Sequence, residues 1–117
     1  MTMQEKRKCS RIDSINLLNY LYFEESEADA NQGMGRTLNV SESGILLETH
    51  TPIEVPYKVS LTIGLQEDVV DIKGRVIYMK ENSKGLYESG IEFFDVGNQA
   101  LKVLRRYITA FHSGAID

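Results

Sequence analysis

The sequence predicts a mainly β domain: a six-stranded antiparallel β-barrel with a C-terminal α-helix and a flexible N-terminal arm. Three observations predict it. Apolar residues alternate at period two in short runs between residues 15 and 94. Turn-forming clusters separate those runs at close spacing. After Gly97 the apolar period changes to near 3.6. Short antiparallel strands without a second sheet most simply close on themselves, because closure removes exposed edges. The helix then lays its apolar stripe on the outside of the barrel or over one mouth.

The elements follow in order. Residues 1–13 carry Lys6, Arg7, Lys8 and Arg11 and show neither period, which predicts the arm; residues 14–117 form the barrel and helix. In the first strand Ile15, Leu17, Asn19, Leu21 and Phe23 face one way and Leu18, Tyr20 and Tyr22 the other, so both faces are expected to be partly covered. Glu24, Glu25, Glu27 and Asp29 make an acidic loop that ends in a predicted turn at Asn31-Gln32-Gly33. A short strand over Arg36–Asn39, a turn at Ser41-Glu42-Ser43-Gly44 and a strand over Ile45–Thr49 come next, closed by Pro52 and Pro56. Tyr57, Val59, Leu61, Ile63 and Leu65 give the cleanest alternation. Gln66-Glu67-Asp68 connects to a strand over Val69–Lys80, in which Val70, Ile72, Val76 and Tyr78 are expected to share a face. Residues 81–85 form a hairpin loop into Leu86–Phe94. Leu101, Leu104, Ile108 and Phe111 then stripe a helix over about 98–112, with Asn98 as its cap and Gly114 after its end.

Composition excludes several function classes. The chain has 117 residues, which suits one domain, and 17 acidic against 13 basic side chains give a net charge of −4. That sign repels phosphate backbones and argues against nucleic acid as a partner. No apolar run is long enough for membrane insertion, and no secretory signal is visible, which predicts a cytoplasmic protein. The single cysteine, Cys9, has no internal disulfide partner. One Cys and two His do not make a structural zinc site, so neither a metal nor a cofactor is expected. His50 and His112 lie far apart with no nucleophile spaced for a triad, and no glycine-rich phosphate loop opens a helix, so the chain is not expected to be an enzyme. Arg36 and Arg75 read as exposed strand positions.

Two short patterns remain. Arg7-Lys8-Cys9-Ser10-Arg11 is an Arg-x-x-x-Arg, and Asn39-Val40-Ser41-Glu42-Ser43-Gly44 is an Asn-x-Ser-x-x-Gly at a turn between strands. Basic tails often place arginines four apart, and Asn, Ser and Gly suit turns for their own reasons. Their occurrence together, in this order, is the informative feature. With Ile45-Leu46-Leu47 after the glycine and Gly90-Ile91-Glu92-Phe93 in the last strand, the chain resembles the PilZ domain family from about residue 5 to the terminal helix.

The resemblance implies a receptor for the bacterial second messenger cyclic di-GMP that changes conformation on binding and signals through a protein partner. It also implies the same barrel and terminal helix. Arg7 and Arg11 would be the main ligand contacts, and Asn39, Ser41 and Gly44 the barrel side of the site, with Lys6, Lys8 and Ser43 as additional contacts. In the family the position before the first arginine is associated with binding one ligand or an intercalated pair; Lys6 stands there in place of the arginine of many members. The ligand's chemistry suits these residues. A guanidinium fork bonds guanine O6 and N7 or a phosphate, while Asn39 and Ser41 offer polar groups to a guanine edge or phosphate. Gly44 would let the backbone turn and leave room for the ligand. The implied partner belongs loosely to motility, pilus, polysaccharide or transcription machinery. The alternative is a protein-interaction module of this fold that acts without nucleotide.

Overall fold

Alternating apolar residues need a second apolar surface, and here the sheet supplies it by curling until its own ends pair. In the computed structural model, which describes residues 17–23, 30–65 and 67–113, six strands precede one helix. They are β1 (Leu17–Phe23), β2 (Ala30–Val40), β3 (Gly44–Thr49), β4 (Lys58–Leu65), β5 (Asp68–Glu81) and β6 (Tyr87–Phe93), followed by α1 (Asn98–Ser113). The order β1-β2-β3-β6-β5-β4 closes into a barrel, antiparallel throughout. Closure comes from β1 pairing with β4, where Tyr20 opposes Leu61. The predicted arm lies outside the described residues.

The core is the inward face of every strand: Leu18 and Tyr20, Ile45 and Leu47, Val59, Leu61 and Ile63, Ile72 and Val76, Ile91 and Phe93. β2 contributes differently, because its inward positions hold Gly33, Gly35 and Thr37. The missing side chains are filled from across the barrel. A Cβ on Gly35 would come within 2.7 Å of Leu47, and one on Gly33 within 2.6 Å of the Tyr20 hydroxyl. Small residues facing large ones is how a narrow barrel reaches interior packing density.

The registers place the start of β1, the ends of β2, β4 and β6, and the starts of β3 and β5 at one end of the barrel. α1 lies on that end. Leu104 and Tyr107 are buried in the core cluster and Val103 is buried beside them, while Leu101, Ile108 and Phe111 pack at the edge. The Tyr107 hydroxyl and Thr37 Oγ1 form a buried hydrogen bond of 2.8 Å. Burial pushes the Tyr107 phenol above its ordinary value, and the Thr37 bond offsets part of that rise.

Several local expectations are corrected. Asn31-Gln32-Gly33 is not a turn but strand, opposite Tyr22, Leu21 and Tyr20, so β2 is longer than the predicted Arg36–Asn39. The reason is tertiary: the Tyr20 ring occupies the space at Gly33. β1 has one covered face, since Leu17 and Leu21 stand on the outside 42% and 39% exposed. Tyr78 does not share the inward face of Val76, because a β-bulge intervenes. Gly97, whose carbonyl accepts the Leu101 N–H at 2.9 Å, occupies the cap position expected of Asn98. Arg36 and Arg75 are exposed on strands as expected, and Arg75 lies over the Phe94 ring at 5.4 Å.

Candidate functional site

The site is built where two strands lose register. In β2, Thr37 opposes Leu47 and Asn39 opposes Leu46, so Leu38 is an extra residue. Strict alternation would point Asn39 inward with Thr37. The bulge turns it outward instead, and Val40 returns to the core. In β5, Val76 opposes Ile91 and Tyr78 opposes Gly90, so Ile77 is extra and both Ile77 and Tyr78 face outward. The two bulges are ends of a single cross-strand row, Asn39–Leu46–Gly90–Tyr78, on the outer wall across β2, β3, β6 and β5. At about 4.8 Å per strand the row is about 14 Å wide. Along it runs an open depression of about 450 Å³, bordered also by Ser41, Ser43 and His112.

Each lining residue has a physical reason for its place. Gly90 carries no side chain because the Tyr78 ring lies in that space; a Cβ there would collide with the ring edge. The ring therefore lies on the strand with its other side toward solvent, 46% exposed beside Ile77 at 53%. Asn39 Oδ1 accepts the Val40 N–H at 2.9 Å, and among the described residues nothing takes up Asn39 Nδ2. Ser41 Oγ accepts the Ser43 N–H at 3.2 Å and shares a hydrogen bond of 3.0 Å with Ser43 Oγ. The turn is closed by Ser41 N–H donating to the Gly44 carbonyl at 2.9 Å. The acceptors at Asn39 and Ser41 thus shape the turn, while an amide N–H₂ and a hydroxyl remain to donate. Such a set suits a ligand of acceptors, such as a phosphate or the Hoogsteen edge of guanine.

Gly44 has a packing reason of its own beside the room for a ligand expected of it. Its backbone is not left-handed; instead β3 approaches β6 so closely that a Cβ would collide with the Ile91 carbonyl oxygen. Glycine at this position lets the turn sit tight on β6, where Ser43 O accepts the Phe93 N–H at 2.9 Å. From the helix side His112 Nε2 donates to the Val40 carbonyl at 2.9 Å, its ring edge-on to Phe111. Arg105 reaches Glu42 in the turn, Nε to Oε2 at 3.2 Å.

Of the residues predicted for the site, Asn39, Ser41, Ser43 and Gly44 lie together on this turn. Arg7, Arg11, Lys6 and Lys8 lie outside the described residues, as does Cys9. His50 follows β3 at the other end of the barrel, so the two histidines share no site. Among the described residues no three His, Cys, Asp or Glu side chains cluster as a metal set would require. Sequence reasoning missed Tyr78, Ile77 and His112 as lining groups. The one signal for Tyr78 was the glycine of Gly90-Ile91-Glu92-Phe93, which needs a large neighbour to explain it.

Comparison with known proteins gives a consistent result. The sequence model of the PilZ domain matches residues 5–110, which include both motifs. Three solved structures share the architecture. The Bacillus subtilis inhibitor of motility (MotI/DgrA) superposes with a TM-score of 0.63 at 15% identity, over 86% of this chain and 49% of that one, so this chain spans about half of that protein. The PilZ domain of YcgR from Escherichia coli, solved with c-di-GMP, gives a TM-score of 0.60 at 13% identity and 84% coverage of each chain. The PilZ domain of CeSA from a cellulose-synthesizing bacterium gives 0.54 at 12% identity, over 82% of this chain and 93% of that one. At such identities the likeness is one of fold. No curated protein sequence matches. Among the described residues no helix is long and apolar enough to cross a membrane.

Proposed function

The chain belongs to the PilZ domain family, and from that premise we propose that it is a cyclic di-GMP receptor: the nucleotide sits in the depression along Asn39–Leu46–Gly90–Tyr78 and is clamped by Arg7 and Arg11. The observation that carries this reading is the pair of bulges, which brings the free donors of the motif turn and an exposed aromatic ring onto one outer surface. Guanine presents acceptors at O6 and N7 and a flat face, and the phosphodiesters present anionic oxygens. The surface offers donors at Asn39 and at one hydroxyl of the Ser41–Ser43 pair, and a π-face at Tyr78. Unlike a catalytic site, it needs no nucleophile or base.

Chain geometry supports the part given to the arginines. Leu17 pairs with Arg36, so the segment bearing Arg7 and Arg11 joins the barrel at the end where the turn lies. Arg36 and Val40 are four residues apart in β2, about 14 Å of strand. Arg11 precedes Leu17 by six residues, which span at most about 20 Å. The reach is sufficient. A guanidinium on that segment could grip the ligand from the side opposite the barrel, drawing the segment onto the wall and creating a surface for a protein partner.

Isothermal titration of the protein with cyclic di-GMP tests the reading, with Arg7→Ala and Arg11→Ala in parallel. A charge-assisted hydrogen bond contributes about 1.5–3 kcal/mol, so each variant should bind about ten- to a hundredfold more weakly. Absence of binding by the folded wild type, or affinity unchanged in both variants, would refute it.

A further inference from the structure

The helix holds the motif segment through three of its side chains. Tyr107 bonds Thr37, His112, at the border of the depression, bonds the Val40 carbonyl and Arg105 pairs with Glu42, while Asn39, Ser41 and Ser43 line the depression. Three contacts from one helix therefore fix the rotation of the segment about its own axis.

Glu42 is the formal charge that needs explaining. It is the one ionised side chain between Arg36 and Glu48, at the middle of a turn whose free groups are hydrogen-bond donors. An anionic ligand at that turn would meet a like charge on the residue between Ser41 and Ser43. Arg105 meets it first, through Nε at 3.2 Å from Oε2 and Nη2 at 3.5 Å from Oε1, a forked geometry that draws the carboxylate toward α1. The neighbouring Arg106 is engaged elsewhere, with its Nη1 2.7 Å from Asp68 Oδ2.

We propose that Arg105 is a positioning residue for the anion site: by holding and neutralising Glu42 on the helix side, it makes the Ser41–Ser43 turn receptive to a phosphodiester without touching the ligand itself. The inference rests on the reading of the site given above. It makes α1 a control element, because anything that takes Arg105 away from Glu42, such as an acidic partner surface on the helix, lowers nucleotide affinity. By linkage, bound nucleotide weakens that partner to the same degree.

A double-mutant cycle with cyclic di-GMP as the titrant separates the roles. Arg105→Ala should bind about three- to tenfold more weakly, the effect of one unscreened like charge across a solvent-exposed gap, and the loss should shrink as salt is added. Glu42→Gln should bind as tightly as wild type or tighter. The double variant should match Glu42→Gln, because no charge is left for Arg105 to neutralise. Melting temperatures of all three should stay close to wild type, since an ion pair this exposed contributes little to stability. Wild-type affinity in Arg105→Ala would overturn the proposal alone. A loss that persists in the Glu42→Gln background would also overturn it, by making Arg105 a direct ligand contact. A wild type that does not bind would remove the receptor reading and this proposal with it.

Discussion

Replacing Gly44 by alanine separates a structural requirement from a ligand requirement at the motif's last residue. The added Cβ would collide with the Ile91 carbonyl oxygen and stand 3.4 Å from Ile91 C and 3.5 Å from Glu92 Cα, all backbone atoms of β6. No side chain can rotate away to make room. The glycine cannot turn aside either, because its carbonyl accepts Ser41 N–H and the preceding carbonyl accepts Phe93 N–H, both at 2.9 Å. The end of β3 must therefore lift from β6. Two backbone hydrogen bonds loosened at about 1 kcal/mol each, together with overpacking of about 1–3 kcal/mol for an unaccommodated methyl, give a loss of about 3–5 kcal/mol. For a domain of this size that lowers Tm by about 12–20 °C. Thermal and urea denaturation followed by circular dichroism would measure it, with Gly64→Ala as control, where a Cβ meets nothing closer than 3.7 Å. A Gly44→Ala protein that melts with the wild type but no longer binds nucleotide would refute the packing argument and assign the glycine to the ligand.

Three further outcomes follow from the same geometry. Tyr78→Ala removes the exposed ring over Gly90 and should weaken cyclic di-GMP binding by about 1–3 kcal/mol, the usual contribution of one base–aromatic stack, with little change in Tm; unchanged affinity in a titration would exclude the ring from the site. Tyr107→Phe leaves the buried Thr37 hydroxyl without its partner and should cost about 1–3 kcal/mol. Because burial raises the Tyr107 pKa, the native state keeps a proton that the unfolded chain releases near pH 10, so its contribution is complete below pH 10 and is lost as pH rises beyond it; melts at successive alkaline pH should fall less steeply in the phenylalanine variant. Asn82→Ala removes an amide whose Nδ2 donates to Glu48 at 2.8 Å and Glu88 at 3.1 Å and whose Oδ1 accepts the Lys84 and Leu86 N–H groups; it should cost about 2–3 kcal/mol by urea titration, since buried Glu48 then faces Glu88 across the β3–β6 pair with no donor between them.

The parts of this molecule legible in its sequence are those that a single segment decides for itself. Tyr57 to Leu65 alternates because β4 has one inward face, and the change of period after Gly97 marks α1 for the same reason. Where a partner distant in sequence decides, the reading goes astray. Gly33 looked like a turn because glycine usually serves turns, and only the Tyr20 ring on the facing strand explains it as strand. The stripe read along α1 omitted Val103, which is buried by the barrel end beneath it. The candidate site divides along the same line. Asn39, Ser41 and Gly44 were found because six consecutive positions contain them. Tyr78 and His112, as parts of that site, were not, because a bulge has no signature of its own in one sequence and the helix meets the turn across 72 residues.

That division bears on how the site works. A turn whose conformation depended only on its own residues would respond to ligand and nothing else. Here the groups that aim Asn39 outward are a bulge at Leu38, the close approach of β6 to Gly44, and three side chains of α1. Each is a contact to another element, so each transmits force in both directions. On the proposed reading, a ligand that tightens the Asn39–Gly44 turn would alter the grip of α1 on it, and a partner bound to the exposed side of α1, where Lys102 and Arg105 stand, would alter the turn. The nonlocal contacts that hid half of the site from the sequence are the ones through which this barrel would convert occupancy into a change at its surface.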